Sequence, residues 1–330
     1  MSSGSMVVLN GELLPRSGAR IGVDDAGFLL GDGVFETLRA EAGVPLRMDA
    51  HLARLGRSLA AVGIALPGRL DELRAQVALV LEVNARSAGS SCVRITVTRG
   101  VVSRPGAETP GTADRPAGRV ARREAEGNVP TVLVTADPYE PPPEEAYACG
   151  VDVRISATVR HPHPLHQVKS ISYAGSSWLR REANDTGAFE MLQFNDAGFL
   201  AEGSFTNVFV VSDGGVLRTS RPEEGCLEGV TREAILQLAR ERGITVALGG
   251  IDRAALDGAA EIFLTSSLAE VVPVRSIDAR LLPAPCPGPV TSALRAAYDE
   301  FSRAGLALRR GPRRSRAAIV AEADRDQSRR

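Results

Sequence analysis

The first hundred residues mix strand-like and helix-like patterns. Apolar and polar positions alternate, as in half-buried strands, in MVVLNGE (6–12), GVFETLRA (33–40), VPLRM (44–48) and CVRITVT (92–98). Between them, Leu52, Leu55 and Leu59 recur at helical spacing, which predicts a helix capped near Asp49; a second helix is predicted over 70–86. GDG (31–33) is too short for a dinucleotide-binding fingerprint and is interpreted as a tight turn.

A break in this pattern divides the chain. Residues 100–128 are rich in Gly, Pro, Ala and Arg and have no apolar period, which predicts a mobile insertion. A strand is predicted at 129–136, and the proline cluster in DPYEPPPEEAY (137–147) cannot lie inside a helix or a central strand. We therefore predict an α/β protein with a small N-terminal α/β domain, a larger second domain and a charged tail, over residues 6–140, 148–305 and 306–330 respectively.

In the second half, predicted strands and helices alternate. The strands are predicted at 150–157, in the hairpins FEMLQF-NDAG-FLAEG and NVFVV-SDGG-VLRT, and in EIFLTSS. The helices are predicted from about Ala174 to Asp185, in TREAILQLARER and over 290–304.

Composition gives no sign of a charged macromolecular partner. The net charge is −1 and no stretch approaches the length of a membrane span, so we expect neither nucleic acid nor membrane as a partner. Residues 1–6 lack the features of a signal peptide and the four cysteines form no CxxC pair, so we expect a cytoplasmic protein. The three histidines of HPHPLH (161–166) fit no zinc spacing, and no metal site is predicted.

One basic residue differs from all the others. Lys169 is the only lysine among the 39 Lys and Arg residues, and the rest are arginine. Arginine supplies charge but stays protonated, whereas a lysine amine can lose its proton and condense with a carbonyl. The singular lysine therefore indicates a covalent role, against the alternative of one surface lysine retained by chance.

Other residues could complete a site around Lys169. Glu202 follows an apolar strand in FLAEG, where a buried carboxylate would suit a cofactor with a protonatable ring nitrogen; the alternative is a strand-end carboxylate in water. CLEGVTREAILQL places Thr231 at a helix start, where free backbone N–H groups favour an anion, although threonine there is often only a cap. The TSS run (265–267) adds hydroxyl groups after a buried strand.

The order of these motifs resembles the class IV aminotransferases, the fold-type IV pyridoxal-phosphate enzymes. That family includes branched-chain and D-amino-acid aminotransferases and aminodeoxychorismate lyase. The resemblance extends from about residue 8 to 300 and is carried by GDGVFETLRA, HLARL, VTRG, VKSISY, FLAEGSFTNVF, CLEGVTR and FLTSSLAEVVPV. It implies pyridoxal 5'-phosphate bound between a small α/β domain and a larger domain with a mixed, barrel-like sheet, and it implies a homodimer.

The resemblance also implies a role for each matching residue. Lys169 would form the Schiff base, Glu202 would face the pyridine nitrogen and Tyr173 would lie near the phenolic oxygen. The phosphate would contact Arg54, Val230, Thr231 and Ser267, and the substrate would contact Phe35, Thr37, Arg99, Ser266 and Leu268. Ser172 and Ser266 depart from the family, in which asparagine and glycine are common at these positions. The departure concerns the substrate carboxylate pocket rather than the cofactor.

The resemblance implies transamination between an amino acid and a 2-keto acid. A first alternative is aminodeoxychorismate lyase, which forms 4-aminobenzoate and pyruvate; Thr37 matches a threonine of that lyase, but the same residue occurs in other relatives. A second alternative, a non-catalytic pyridoxal-phosphate-binding protein, is disfavoured because such a protein need not keep Lys169, Glu202, Arg54 and Thr231 together.

Overall fold

The structure, a computed structural model, describes residues 5–101, 129–283 and 285–304. The strands of this part of the chain are β1 (Met6–Leu9), β2 (Glu12–Pro15), β3 (Gly33–Glu41), β4 (Val44–Pro45), β5 (Ser90–Thr98), β6 (Val132–Pro138), β7 (Val151–Ile155), β8 (Glu190–Phe194), β9 (Leu200–Gly203), β10 (Asn207–Val211), β11 (Leu217–Thr219), β12 (Val246–Leu248), β13 (Glu261–Ser266), β14 (Glu270–Ile277) and β15 (Arg280–Leu281). The helices are α1 (Ala26–Leu30), α2 (Met48–Val62), α3 (Leu70–Val83), α4 (Glu144–Ala148), α5 (Ala174–Thr186), α6 (Val230–Glu241), α7 (Arg253–Asp257) and α8 (Pro289–Arg303).

The first sheet is antiparallel and has the strand order β2-β1-β6-β5-β3-β4. The apolar faces of α2 and α3 pack on it, with Leu55, Val80 and Val134 in the shared core. Strand β3 is buried on both faces except at Thr37 and Glu41, so the side chains of Glu36 and Arg39 face protein rather than water.

The second sheet is mixed and has the order β12-β11-β10-β13-β14-β7-β8-β9, with β15 beside β14. Its parallel pairs are β11 with β12, β14 with β7, and β7 with β8. Helices α6 and α8 cover one face, where Ile235, Leu294 and Phe263 share a core. The predicted α/β class is thus confirmed, while the predicted domain boundaries remain a prediction.

Some local predictions were wrong. Helix α2 begins at Met48 after Arg47, whose backbone is left-handed, so Asp49 lies in the first turn and is not the cap. Its carboxylate there lies near the positive end of the helix dipole, where a negative charge is stabilising. GDG connects α1 to β3, with Gly31 as the C-cap of α1 (φ +66°) and Gly33 as the first residue of β3; α1 itself was not predicted, because five residues are too few to show a helical period. Residues 102–128 of the predicted insertion and the tail 306–330 lie outside the described residues.

No helix within 5–101, 129–283 and 285–304 is both long and apolar enough to cross a membrane.

Candidate active site

Lys169 is positioned by backbone pairing with the first sheet. Residues 168–171 run beside β3, where the Phe35 N–H donates to the Lys169 carbonyl (2.8 Å) and the Ile171 N–H donates to the Gly33 carbonyl (3.0 Å). A residue from the second half of the chain is thereby held against the N-terminal sheet. Its side chain consequently lies among residues contributed by both sheets.

Lys169 borders two cavities. The first cavity, of about 680 Å³, is also lined by Arg160, Tyr173, Glu202, Ser204, Asn207 and Leu227. The second cavity, of about 610 Å³, is also lined by Phe35, Thr37, Arg94, Tyr173, Arg180, Ser204, Ser266, Ser267, Leu268 and Ala269. Desolvation of the amine, followed by the nearby charge of Arg54, lowers the pKa of Lys169 to about 8. A proton can therefore be held or released at this nitrogen near neutral pH.

Glu202 is the acid of the first cavity and is buried at the end of β9. Its Oε1 pairs with Arg160 Nη2 (2.7 Å), and its Oε2 accepts from the Leu227 N–H (2.8 Å) and from Asn207 Nδ2 (3.3 Å). Desolvation raises the pKa of Glu202, an effect that the charge of Arg160 opposes. The arrangement fixes a carboxylate in the wall of a cavity that Lys169 shares.

The loop between β9 and β10 forms the wall common to both cavities, and Glu190 shapes it. Glu190 is fully buried and accepts from the Ser204 N–H (2.9 Å), Ser204 Oγ (2.6 Å) and Thr206 Oγ1 (2.9 Å). The Ser204 carbonyl in turn accepts from the Tyr173 hydroxyl (3.3 Å). The ring of Tyr173 packs edge-on against Phe35 with centroids 5.6 Å apart. Glu190 therefore orders the segment against which Tyr173 rests.

Arg54 lies where α2 meets the start of α6. Its Nη1 donates to the Glu228 carbonyl (3.1 Å), two residues before Val230 begins α6. The first N–H groups of a helix have no partner within it, so an anion placed here would meet the N–H groups of Val230 and Thr231 together with the guanidinium. Neither Arg54 nor these two residues line the cavities.

A glycine shapes the approach to α6. A Cβ at Gly229 would lie 2.0 Å from Asn207 Oδ1, so a side chain cannot be accommodated without moving Asn207. Asn207 also donates to the Leu227 carbonyl (2.8 Å) and to Glu202. Gly229 thus allows the chain before α6 to pass close to the acid of the first cavity.

The predicted site residues divide into three groups. Glu202 lines the first cavity, Lys169 and Tyr173 line both, and the predicted residues Phe35, Thr37, Ser266, Ser267 and Leu268 line the second. Arg54, Val230 and Thr231 form a second group, at the start of α6 and outside the cavity linings. Arg99 lies apart from both cavities, because it follows the end of β5 and pairs with Asp32 (Nε to Oδ2, 2.6 Å). These roles remain predictions.

Sequence reasoning missed several ionisable residues of this region. They are Glu36, which pairs with Arg54; His51, which contacts Glu36; Arg94, Arg160 and Arg180, which line the cavities; and Glu190. Glu190 could have been identified from the sequence, because it is a charged residue at the start of an apolar strand, just as Glu202 is a charged residue near the end of one. The arginines carry no comparable signal in a chain so rich in arginine.

Comparison with known proteins places this geometry in a family. The amino-transferase class IV family model matches residues 33–277. The D-alanine aminotransferase of Bacillus licheniformis is 30% identical over 293 residues, covering 89% of this chain and 95% of that protein. The aminodeoxychorismate lyase of Bacillus subtilis is 28% identical over 274 residues, covering 83% of this chain and 87% of that protein.

A solved structure extends the similarity to the fold. The PLP-bound form of a hypothetical aminotransferase from Mycobacterium tuberculosis has a TM-score of 0.75 and 25% sequence identity, covering 91% of this chain and 99% of that one. The predicted fold-type IV architecture is confirmed by this match. Because the family model matches residues 33–277 and the relatives align over most of their own length, the protein belongs to the class IV aminotransferase family.

Proposed function

We propose that the protein is a pyridoxal-phosphate-dependent aminotransferase that moves an amino group between an amino acid and a 2-keto acid. The observation that carries the proposal is the position of Lys169, the only lysine, at the boundary of two cavities, with Glu202 in the wall of the first. A nucleophilic amine and a buried carboxylate in one site are the pair that this chemistry requires.

The residues fit pyridoxal 5'-phosphate group by group. The aldehyde would meet the Lys169 amine, whose lowered pKa favours the neutral, nucleophilic form. The ring nitrogen would meet Glu202, and the phosphate would meet Arg54 and the start of α6. Ser267 and Tyr173 would supply hydroxyl groups to the phosphate and to the phenolic oxygen. When bound, the cofactor supplies a ring that withdraws electrons from the reacting carbon of the substrate.

Lys169 is proposed to move the proton. Its Nζ lies 4.6 Å from the centroid of the Phe35 ring, and this ring limits the movement of the amine toward β3. With a pKa of about 8, the amine can accept a proton from the substrate carbon and return it to a neighbouring carbon. Glu202, which pairs with Arg160, would hold a proton on the ring nitrogen beside it.

The second cavity is proposed to bind the substrate. The guanidinium groups of Arg94 and Arg180 line it, stacked on the rings of Phe35 (3.9 Å) and Phe205 (4.1 Å), and neither pairs with a carboxylate among the described residues. In that same part of the chain, the N–H groups of Ser267 and Leu268 donate to no protein atom. These donors suit the carboxylate groups of amino and keto acids.

The half-reaction tests this function. The holoenzyme is incubated with a panel of L- and D-amino acids, and then with a 2-keto acid, while the cofactor absorbance is followed. We expect a suitable amino acid alone to convert the bound cofactor to its aminated form and the keto acid to restore it, because one covalent centre is used alternately by both substrates. An unchanged spectrum with every amino acid would refute transamination.

Aminodeoxychorismate lyase activity is the second candidate. Thr37 lies in the second cavity with Lys169, where a hydroxyl could deliver a proton to departing pyruvate. In that case aminodeoxychorismate would release pyruvate, amino acids would leave the spectrum unchanged, and Thr37→Gly would remove most turnover. In an aminotransferase, Thr37→Gly should mainly change substrate preference.

We propose that the protein forms a homodimer. Val23, Phe28 and Val101 expose 69%, 76% and 56% of their surface on segments joined by the bridge between Asp25 and Val101. A cluster of exposed apolar side chains marks an interaction surface, and a second copy would cover it. Light scattering after gel filtration would measure the mass, and a single-chain mass would refute the dimer.

A cytoplasmic location is also proposed. All four cysteines are free thiols, as expected where disulfides are kept reduced. Cell fractionation with an antibody to the protein would test this location.

A further inference from the structure

The turn between β13 and β14, residues 266–270, separates the second cavity from a third. Ser266, Ser267, Leu268 and Ala269 line the second cavity on one side. On the other side lies a third cavity of about 280 Å³, lined by Glu270 and by side chains of β3, α4 and α8, namely Arg39, Tyr147, Arg295, Tyr298, Asp299 and Arg303. Contacts made in the third cavity therefore act on the back of a wall of the proposed substrate site.

Two buried side chains hold this turn from behind. Arg39 Nη1 donates to the Leu268 carbonyl (3.3 Å), and the Tyr147 hydroxyl donates to the Ala269 carbonyl (3.1 Å). Each of the two residues is only 7% exposed. Arg39 Nη1 also pairs with Glu270 Oε2 (3.3 Å), so the guanidinium contacts both the backbone of the turn and its last side chain.

Arg39 is itself fixed by the first sheet. Its Nε pairs with Glu41, and its Nη2 donates to Ser90 Oγ (3.2 Å). The guanidinium thus joins β3 and β5 to the turn of the second sheet through a rigid, planar group with several donors. A lysine could replace only part of this, because its single nitrogen cannot reach all of these acceptors in the same plane.

Peptide geometry transmits the contact to the second cavity. The Leu268–Ala269 peptide is planar and trans, so its C=O and N–H groups point in opposite directions. When Arg39 holds the carbonyl toward the third cavity, the Ala269 N–H is directed away from it, and it donates to Ser266 Oγ (3.1 Å). The position of the Ser266 hydroxyl and the course of the Ser267 and Leu268 backbone are therefore linked to Arg39.

We infer that Arg39 and Tyr147 are positioning residues for substrate binding: they hold the turn so that Ser266 and the free N–H groups of Ser267 and Leu268 face the substrate carboxylate. The inference rests on the proposed function, because it takes the second cavity as the substrate site. It assigns no contact with substrate to Arg39 or Tyr147 themselves. Their loss should weaken substrate binding and leave cofactor binding intact.

The test compares holoenzymes of Tyr147→Phe, Arg39→Lys and Arg39→Met with the wild type. Arg275→Gln is the matched control, because Arg275 is an exposed arginine that pairs with Asp152 away from these cavities. For the amino acid that the wild type uses best, KM and kcat are measured. Calorimetry measures the Kd of an unreactive probe, the carboxylic acid of the same skeleton without its amino group. Cofactor stoichiometry and Tm are recorded for every protein.

Tyr147→Phe removes one hydrogen bond, so KM and the probe Kd should rise about three- to tenfold. Values of kcat should stay within about twofold, because the contact is not specific to the transition state. Arg39→Met should have the larger effect, and Arg39→Lys should recover part of it. The control should match the wild type, and cofactor stoichiometry should be unchanged throughout.

A lower Tm in the variants with unchanged KM and Kd would overturn the inference, because it would show a purely structural role. If the Arg39 variants fail to fold, Tyr147→Phe alone decides between the two outcomes, since it removes a single oxygen atom. Failure of the proposed function would be visible separately, as a wild type that turns over no amino acid. In that case the probe is the carboxylic acid that the wild type binds most tightly among the deaminated skeletons of the amino-acid panel, and its calorimetric Kd still compares the variants.

Discussion

Arg54 and Glu36 form a buried, bidentate ion pair, with Nε to Oε1 at 2.8 Å and Nη2 to Oε2 at 2.7 Å. His51 Nδ1 contacts the same carboxylate at 2.7 Å. Burial alone would raise the pKa of Glu36, but the charge and hydrogen bonds of Arg54 and the hydrogen bond of His51 outweigh it and hold that pKa at about 2. The guanidinium is thereby oriented with Nη1 toward the start of α6.

Glu36→Gln should weaken cofactor binding, although Glu36 is not among the residues proposed to contact the cofactor. The amide would oppose one of the two guanidinium donors with its own N–H₂ group and leave Arg54 charged but poorly paired. After matched dialysis, we expect the variant to lose cofactor about ten times faster than the wild type. Glu72→Gln, an exposed position on α3, is the control. Equal retention by all three proteins would show that Arg54 does not depend on Glu36 for its position.

Lys169→Arg should abolish turnover and covalent attachment of the cofactor. The guanidinium keeps the positive charge but cannot form the bond to an aldehyde carbon. Borohydride reduction of the wild-type holoenzyme followed by peptide mapping should find the label on the peptide that contains Lys169. A label confined to the N-terminal amine would contradict the assignment.

The attachment rate should depend on pH as the Lys169 pKa of about 8 requires. Because desolvation lowers this pKa from its ordinary value, the neutral amine predominates above pH 8 and becomes scarce below it. Mixing cofactor-free protein with pyridoxal phosphate should give a rate that rises about tenfold per pH unit below 8 and levels off above it. If the midpoint of the rate–pH profile lay above pH 10, the Lys169 amine would not be desolvated.

Glu202→Gln should leave the cofactor bound and slow proton abstraction by about two to four powers of ten. The amide cannot keep a positive charge on the ring nitrogen, and it leaves Arg160 without its ionic partner. Single-turnover measurements with the best amino acid would give the rate. Glu233→Gln, at a half-exposed glutamate of α6, should behave as the wild type. A Glu202 variant of nearly wild-type rate would exclude this residue as the ring partner.

The chemistry of a residue was easier to predict than its surroundings. Lys169 and Glu202 were recognisable because an unusual residue type, or a charge beside an apolar strand, is visible locally. Glu36 was not, because alternation in GVFETLRA shows which side chains share a face but not what covers that face. Here α2 covers that face with His51 and Arg54, which lie 15 and 18 positions after Glu36 in the sequence.

Elements with a clear period were predicted well, and those formed by distant contacts were not. Helices α5 and α8 and the hairpin of β10 and β11 lie within a few residues of their predicted bounds. The pairing of residues 168–171 with β3 has no local signal, since it joins segments far apart in the chain. VPLRM was predicted as a strand, but only Val44–Pro45 pairs, because the chain turns into α2 at Met48.

The solitary lysine at the cavity boundary also makes the protein unusually simple to label. Amine-directed reagents, which on most proteins modify many surface lysines, would meet only Lys169 and the N-terminus here. The acylation rate of Lys169 would then report how open the cavities are, with and without bound ligands, from a single intact-mass measurement. Conversely, with Lys169 occupied by the cofactor, amine coupling to a solid support would attach active molecules through the N-terminal amine.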